Sequence, residues 1–350
     1  MNIMKPLIFD LNYSDLKTTL QELGQPGYRA DQVWTAIYKS FRSTPEEITT
    51  LPKSFREKLR NEFSFNALTP VNVIKSVDGR TLKTLFMLQD GNQIEAVLMY
   101  YEKRRTLCIS SQAGCGIGCA FCATGQMGFR RNLTSGEIIA QVLYFARILA
   151  AEEKSVTNVV VMGMGEPFQN YESVLAALDR LNDPDAFGLG ARRFTISTVG
   201  LVPEILRFAD EGKQYNLAIS LHTVDDELRS KLVPINKKYP VNQVISACKH
   251  YIQKTKRRVT FEYALIQGLN DSVEEAEALV RKLRGMICHV NLIPLNPTVG
   301  YSGQPTRANQ ATVFCDTLNN SNISCTIRLR RGIEISAGCG QLAAKSMGNS

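Results

Sequence analysis

The stretch that decides the reading is LCISSQAGCGIGCAFC, running from Leu107 to Cys122. It opens as a β-rich run, Leu107 to Ser111, and passes into a glycine-rich loop bearing three thiols spaced C-x3-C-x2-C: Cys115, Cys119 and Cys122. A backbone with few Cβ atoms wraps closely enough to aim three sulfurs at one small object. Structural zinc is normally four-coordinate, and zinc loops usually pair two C-x2-C knuckles. No second knuckle exists here, so three cysteines better suit a [4Fe–4S] cluster with one iron left unligated by protein. A zinc site is the competing reading.

Outward from this stretch, the chain alternates between short β-rich runs and helical segments. The runs lie at 107–111, 158–163, 193–200, 215–222, 258–266, 289–295 and 325–330, with segments such as GEIIAQVLYFARILA, VPEILRFADE and VNQVISACKHYIQ between them. That rhythm implies parallel strands joined by crossover helices. It predicts an α/β fold, a partial (β/α)6 barrel of the TIM type, with a doubly wound sheet as the alternative. In such a barrel, functional residues gather at the C-terminal ends of the strands. The first ninety or so residues read differently. GYRADQVWTAIYK (27–39) and the segment 52–63 predict helices, and 71–101 alternates like two or three strands turning at Asp78-Gly79 and Asp90-Gly91. The expected organisation is a small N-terminal α+β accessory domain over 1–92, a core barrel over 93–334, and a tail over 335–350 carrying Cys339.

With 350 residues, 44% apolar and 21% charged, the chain can bury a large core, which excludes disorder, collagen and coiled coil as the main architecture. Lys and Arg number 41 against 33 acidic residues, a net charge of +8 that leans toward a polyanionic partner. No apolar run is long enough to span a bilayer, and the N-terminus lacks a basic then apolar signal pattern. A cytoplasmic location follows, a reducing compartment in which nine cysteines serve as ligands or catalysts more often than as structural disulfides.

The motifs CISSQAGCGIGCAFCATGQMGFRRNLT (108–134), GMGEP (163–167), STVGLVP (197–203), ISLH (219–222), VPIN (233–236), HVNLIPLNP (289–297) and AGCGQL (337–342) together resemble the RlmN/Cfr family. These are radical S-adenosylmethionine (SAM) RNA adenine methyltransferases. The similarity runs from about Gly27 to Leu342 and is greatest to the RlmN branch, which methylates C2 of one adenine in the peptidyl transferase centre of 23S rRNA. Some relatives also modify an anticodon-loop adenine of tRNA, which the sequence does not decide.

The resemblance implies that Cys115, Cys119 and Cys122 hold the cluster, whose open iron takes the amino and carboxylate groups of SAM. It implies SAM contacts at Gly165, Glu166, Ser197, Ser220, Leu221, His222 and Asn296, with Ser197 on the ribose. Glycines in the 163–165 turn would let the backbone approach the ligand, and Glu166 would accept from the SAM ammonium. Cys339 would carry the methyl group as S-methylcysteine, with two SAM consumed per methylation. Cys108 would resolve the protein–RNA link, leaving a transient Cys108–Cys339 disulfide, and Glu95 would accept a proton. Gly338 and Gly340 would make the Cys339 segment mobile.

Taken alone, several of these residues read plainly. Glu166 would be a solvated residue after a tight turn, His222 a structural histidine, Cys108 a small buried hydrophobe and Glu95 a solvent-facing strand residue. Cys248, Cys288, Cys315, Cys325, His250 and His289 are expected to pack. Short basic clusters at Lys103–Arg105, Arg130-Arg131, Arg192-Arg193, Lys254 to Arg258 and Arg328 to Arg331, with Arg29 and Lys39, are candidate phosphate contacts. A reductant of flavodoxin-like kind and a monomeric state complete the expectation. Two rivals stand: the C8-methylating branch, which shares every motif above, and a zinc-stabilised RNA-binding protein without activity.

Overall fold

The structure, a computed structural model, describes residues 5–328 and 331–343; Arg330 of the last basic cluster and residues 344–350 of the tail lie outside the described residues. Helices α1 (Tyr13–Glu22), α2 (Tyr28–Tyr38) and α3 (Lys53–Glu62) come first. The last two fall within a residue or so of the expected spans. Helix α1 was not anticipated, although its signals were present: the Asn12 side chain accepts from the Asp15 N–H and Leu16 and Leu20 are buried one turn apart. Such a cap stabilises a helix by about 1 kcal/mol.

Strands β1 (Leu68–Lys75), β2 (Thr81–Leu88) and β3 (Gln93–Tyr100) form an antiparallel meander. The two expected Asp-Gly turns link them, with φ at +69° for Gly79 and +82° for Gly91. Strand β3 then pairs antiparallel with β4 (Arg105–Cys108), so the meander continues directly into the core sheet. A separate hairpin, β5 (Gln112–Gly114) with β6 (Phe129–Asn132), frames the cysteine loop and the short helix α4 (Ala123–Gln126).

Beyond it, α5 (Ser135–Ala151) leads to β7 (Asn158–Val161), α6 (Tyr171–Asn182) to β8 (Phe194–Thr198), and α7 (Val202–Asp210) to β9 (Asn216–Ser220). Helices α8 (Asp226–Leu232) and α9 (Val241–Thr255) lead to β10 (Val259–Leu265), α10 (Val273–Leu283) to β11 (Cys288–Pro294), and α11 (Ala308–Asn320) to β12 (Cys325–Ile327). From β4 onward every neighbouring pair is parallel, in the order β4-β7-β8-β9-β10-β11-β12. Six crossovers in strictly sequential order make the partial (β/α)6 barrel. A doubly wound sheet would reverse direction at a switch point, and none occurs.

The inner parallel strands are buried on both faces, while the edge strand β12 exposes Thr326 and Ile327. Along β10 the two-residue alternation sends Phe261 and Tyr263 to the helices, where Tyr263 packs 5.3 Å from Phe314 of α11, and turns Glu262 and Ala264 toward the barrel interior. Among the described residues no helix is long and apolar enough to cross a membrane.

Candidate active site

At the C-terminal ends of the parallel strands lies a cavity of about 1030 Å³, counted out to its mouth. Cys115, Cys119, Cys122 and Cys339 line it, together with Gly165, Glu166, Ser197, Ser220, His222 and Asn296. Ten of the thirteen sequence-derived site residues therefore meet in one place. Leu221, Cys108 and Glu95 stand outside the lining.

The strand-end residues are fixed by backbone geometry. Gly165 has φ +103°, and a Cβ there would stand 2.6 Å from the Gln112 Cβ and 2.7 Å from its backbone nitrogen. The space a side chain would need is thus filled by protein, so the glycine serves the packing of the β7 turn on β5 more than the approach of a ligand. Glu166 is buried, its two oxygens accepting from the Phe168 and Val199 N–H groups at 3.0 and 2.9 Å. Burial pushes its carboxyl up to about 7, with those two donors opposing. The solvated glutamate read from sequence is corrected: this carboxylate pins the ends of β7 and β8 together. The Ser197 and Ser220 hydroxyls lie 3.3 Å apart.

His222 adopts φ +64°, and its Nδ1 accepts from the Ala264 N–H at 3.0 Å, which leaves the ring proton on Nε2. Its ring meets Phe121 edge-on at 4.9 Å, and burial pushes its pKa down to about 3. Leu221 is fully buried, and its carbonyl accepts from Arg229 Nε at 2.9 Å. That arginine, which sequence reading passed over, is itself fully buried and also donates to Val199 O at 2.6 Å and Asn236 Oδ1 at 2.8 Å. It ties the ends of β8 and β9 to the VPIN motif.

The Cys339 segment is held rather than loose. The Cys339 carbonyl accepts from Asn296 Nδ2 at 3.0 Å, the Gly340 carbonyl from the Ala123 N–H at 2.7 Å, and Gln341 Nε2 donates to Pro297 O at 3.0 Å. A Cβ on Gly338 would sit 2.7 Å from Asn296 Nδ2 and from Gln341 Oε1, so that glycine provides close approach here instead of mobility. Glu95 is buried, not solvent-facing. It pairs with Lys83 at 2.9 Å and accepts from the Ala343 N–H at 2.9 Å, anchoring the same segment. Cys339 keeps accessible surface in a crowded setting, and that crowding pushes its thiol up to about 11, with Arg328 opposing and Glu262 and Cys122 adding. Cys108, half-buried at the end of β4, is lifted to about 12 by burial and by Cys339, which places the two thiols within electrostatic reach of each other. All nine cysteines are free thiols.

The donor set fits an iron–sulfur cluster. Burial pushes the Cys115 thiol up to about 12 and holds Cys119 well above its usual value; the neighbouring Cys122 adds to both, and Cys115 adds to Cys119. Such thiols ionise only against added positive charge, which a cluster's irons bring. Among the described residues no three His, Cys, Asp or Glu side chains close on a single-ion geometry; a cube of iron and sulfide spreads its ligands around several centres and does not ask them to converge on a point.

Several of the candidate phosphate contacts are engaged within the fold, among them Arg105 with Ser155 O, Arg257 with Asn216 Oδ1 and Lys254 with Asp210. Arg131 makes a bidentate pair with Glu137 at 2.7 Å and a further pair with Asp90, closing the start of α5. Lys39 donates to Pro184 O at 2.6 Å, joining the N-terminal helices to the core. Arg130 remains exposed beside the loop.

Comparison with known proteins matches residues 109–282 to the radical SAM superfamily and residues 7–64 to the ribosomal RNA large subunit methyltransferase N-terminal domain. Similar relatives include "Dual-specificity RNA methyltransferase RlmN 1" of Myxococcus xanthus, 47% identical over 96% of this chain and 94% of its own length. "Probable dual-specificity RNA methyltransferase RlmN" of Chloroflexus aurantiacus is 46% identical over 97% of this chain and 93% of its own. The crystal structure of a radical SAM methyltransferase from Sphaerobacter thermophilus superposes with a TM-score of 0.95 at 47% identity, covering 97% of this chain and 100% of that one.

Proposed function

Since the chain belongs to the RlmN family of radical-SAM RNA methyltransferases, which work with a [4Fe–4S] cluster and SAM, we propose that it methylates C2 of an adenine in 23S rRNA, with an anticodon-loop adenine of tRNA as a second substrate. The observation that carries the reading is one cavity shared by the thiols of the cysteine loop, the strand-end polar residues and the free thiol of Cys339. Adenine C2 is electron-poor and no nucleophile, so displacement on a sulfonium has nothing to attack with. The cluster and SAM, when bound, supply the one-electron chemistry such a carbon demands.

The chain's own residues do the rest. Cys115, Cys119 and Cys122 hold the cluster. Gly165, Glu166, Ser197, Ser220, Leu221, His222 and Asn296 shape the SAM site, Leu221 through its backbone and Glu166 by fixing two strand ends. Cys339 takes a methyl group from one SAM and presents it as S-methylcysteine at the cavity, and a second SAM completes the transfer. Cys108, at the end of the neighbouring strand, resolves the protein–RNA link by pairing with Cys339. Glu95 accepts the proton released at C2, and its pair with Lys83 keeps it beside the Cys339 segment. The target base enters only after unstacking, which costs a few kcal/mol and least for an unpaired base. The enzyme acts in the cytoplasm as a monomer, with a flavodoxin-like reductant.

The test is nucleoside mass spectrometry on 23S rRNA treated with reconstituted enzyme, SAM and a reductant. The proposal expects 2-methyladenosine. Sole formation of 8-methyladenosine would overturn the C2 assignment.

A further inference from the structure

Three neighbouring strands set a row of polar side chains on one face of the sheet. Register places Lys83 of β2 opposite Val97 of β3, and Val97 opposite Cys108 of β4. Directly opposed residues of antiparallel strands share a face, and so do residues two apart on one strand. Lys83, Glu95 and Cys108 therefore stand on the same side. Lys83 and Glu95 are both buried there, and their charged ends meet at 2.9 Å.

The pair reaches both ends of one short segment. Lys83 Nζ donates to Ser336 O at 3.4 Å, and Glu95 Oε2 accepts from the Ala343 N–H at 2.9 Å. Cys339, which lines the cavity, lies between these two anchors. Ser336 also holds φ +52°, a conformation that a serine keeps only where its surroundings impose it. The backbone of Glu95 meets uncharged groups: its N–H donates to Met164 Sδ at 3.3 Å and its carbonyl accepts from Ser110 Oγ at 2.6 Å. Among the described residues Lys83 is the one ionic partner of this carboxylate. The other titratable groups on this side are thiols, Cys108 and, within its electrostatic reach, Cys339.

Loss of charge from either partner undoes this arrangement. A buried ammonium without its counter-charge is strongly unfavourable. A neutral carboxylic acid offers one carbonyl oxygen in place of two charged ones, so it holds Lys83 and Ala343 together far less tightly.

We propose that Lys83 and Glu95 form a clasp that positions the Cys339 segment at the cavity and opens when Glu95 takes up the proton from adenine C2. The proposal rests on the reading of Glu95 as proton acceptor. In that step the C2–H bond breaks, its electron pair stays with the carbon, and the proton forms an O–H bond on Glu95. The carboxylate that held Lys83 becomes neutral, and the segment is released at the stage when Cys339 must turn from the RNA to Cys108. Lys83 is a positioning residue, acting through Glu95 and Ser336.

Amide hydrogen exchange read by mass spectrometry tests this on the cluster-reconstituted full chain under anaerobic conditions, without SAM or RNA, so that nothing turns over. Wild type, Lys83→Met, Glu95→Gln and the double variant are compared, with iron content and thermal unfolding verifying each fold. Each single variant is expected to speed exchange across residues 337–343 by about tenfold to a hundredfold, the range for a hydrogen bond to a charged group, and to leave α2 and β10 at wild-type rates. The double variant should open the segment no further than the singles, because the two groups act as one unit. Wild-type exchange in either single variant overturns the clasp, as does faster exchange spread through the whole chain or full addition of the two effects in the double variant. If Lys83→Met fails to hold iron, the near-isosteric Glu95→Gln is read in its place. In a parallel RNA methylation assay Glu95→Gln is expected to slow turnover roughly a hundredfold or more. A wild-type rate there, with the segment open, fails at the proton-acceptor reading, an outcome distinct from a failure of the clasp.

Discussion

Acidification is expected to weaken this fold through His222, by an amount that follows from the ring's burial. The pKa falls from 6.5 to about 3 because the buried ring resists charge. Protonation would also set an Nδ1–H against the Ala264 N–H, where a donor now meets an acceptor. An unfolded chain takes up the proton below about pH 6.5, whereas the folded one does not until about pH 3. Stability from this group is thus complete above about pH 6.5 and drains away as pH falls. At about 1.4 kcal/mol per pH unit, the loss between about pH 7.5 and pH 5 is about 2 kcal/mol. Glu166, raised to about 7, acts in the opposite sense: protonation favours the folded state, so its contribution grows as pH falls. A bulk profile sums both, so the comparison must be made within a variant pair. Asn in place of His222 tolerates the positive φ and offers an oxygen to Ala264 without titrating. Urea unfolding of both proteins at the two pH values is the assay. Wild type should lose about 2 kcal/mol more than His222→Asn on acidification. Equal losses would refute a buried neutral histidine as the source.

Other outcomes follow from the site. Cys339→Ala is expected to retain iron and bind SAM yet yield no methylated RNA, as read by iron analysis, calorimetry and nucleoside mass spectrometry; turnover would refute the carrier role. Cys108→Ala is expected to accumulate protein covalently joined to RNA, visible as a shifted band on denaturing gels, and loss of activity without that adduct would count against resolution by Cys108. Gly165→Ala places a methyl 2.6 Å from the Gln112 Cβ at a φ of +103°. Strain and overpacking together should cost about 3 kcal/mol in chemical unfolding and displace Glu166, whose N–H donates to Gln112 Oε1 at 2.9 Å. A loss below about 0.5 kcal/mol would show that the turn relaxes.

Much of the barrel was legible because its parallel strands are apolar on both faces and its helices carry one apolar stripe, patterns that survive in sequence. The cysteine loop was legible because thiol spacing is itself the signal. The helix α1 and the hairpin β5–β6 escaped, the first despite its Asn12 cap, the second because strands of three and four residues are too short to show alternation. Buried charge was the main blind spot. Glu95 and Glu166 read as solvent-facing and Arg229 and Glu262 drew no reading, although all four are buried, since burial of a carboxylate or guanidinium depends on partners brought from elsewhere in the chain. Lys83 for Glu95 and the carbonyls of Val199 and Leu221 for Arg229 become neighbours only in the folded sheet. Glycine was legible in place but not in purpose: Gly165 and Gly338 make room for protein atoms rather than for ligand or motion.

The central claim is that three thiols hold an iron–sulfur cluster at the mouth of a SAM site. It is tested most directly by incubating the reconstituted protein with SAM and a strong reductant, without RNA, and measuring the products chromatographically. The account predicts methionine and 5′-deoxyadenosine from wild type, and neither product nor bound iron when Cys115, Cys119 or Cys122 is replaced by Ala. Intact SAM from iron-loaded wild type, or iron retained after each replacement, would contradict it.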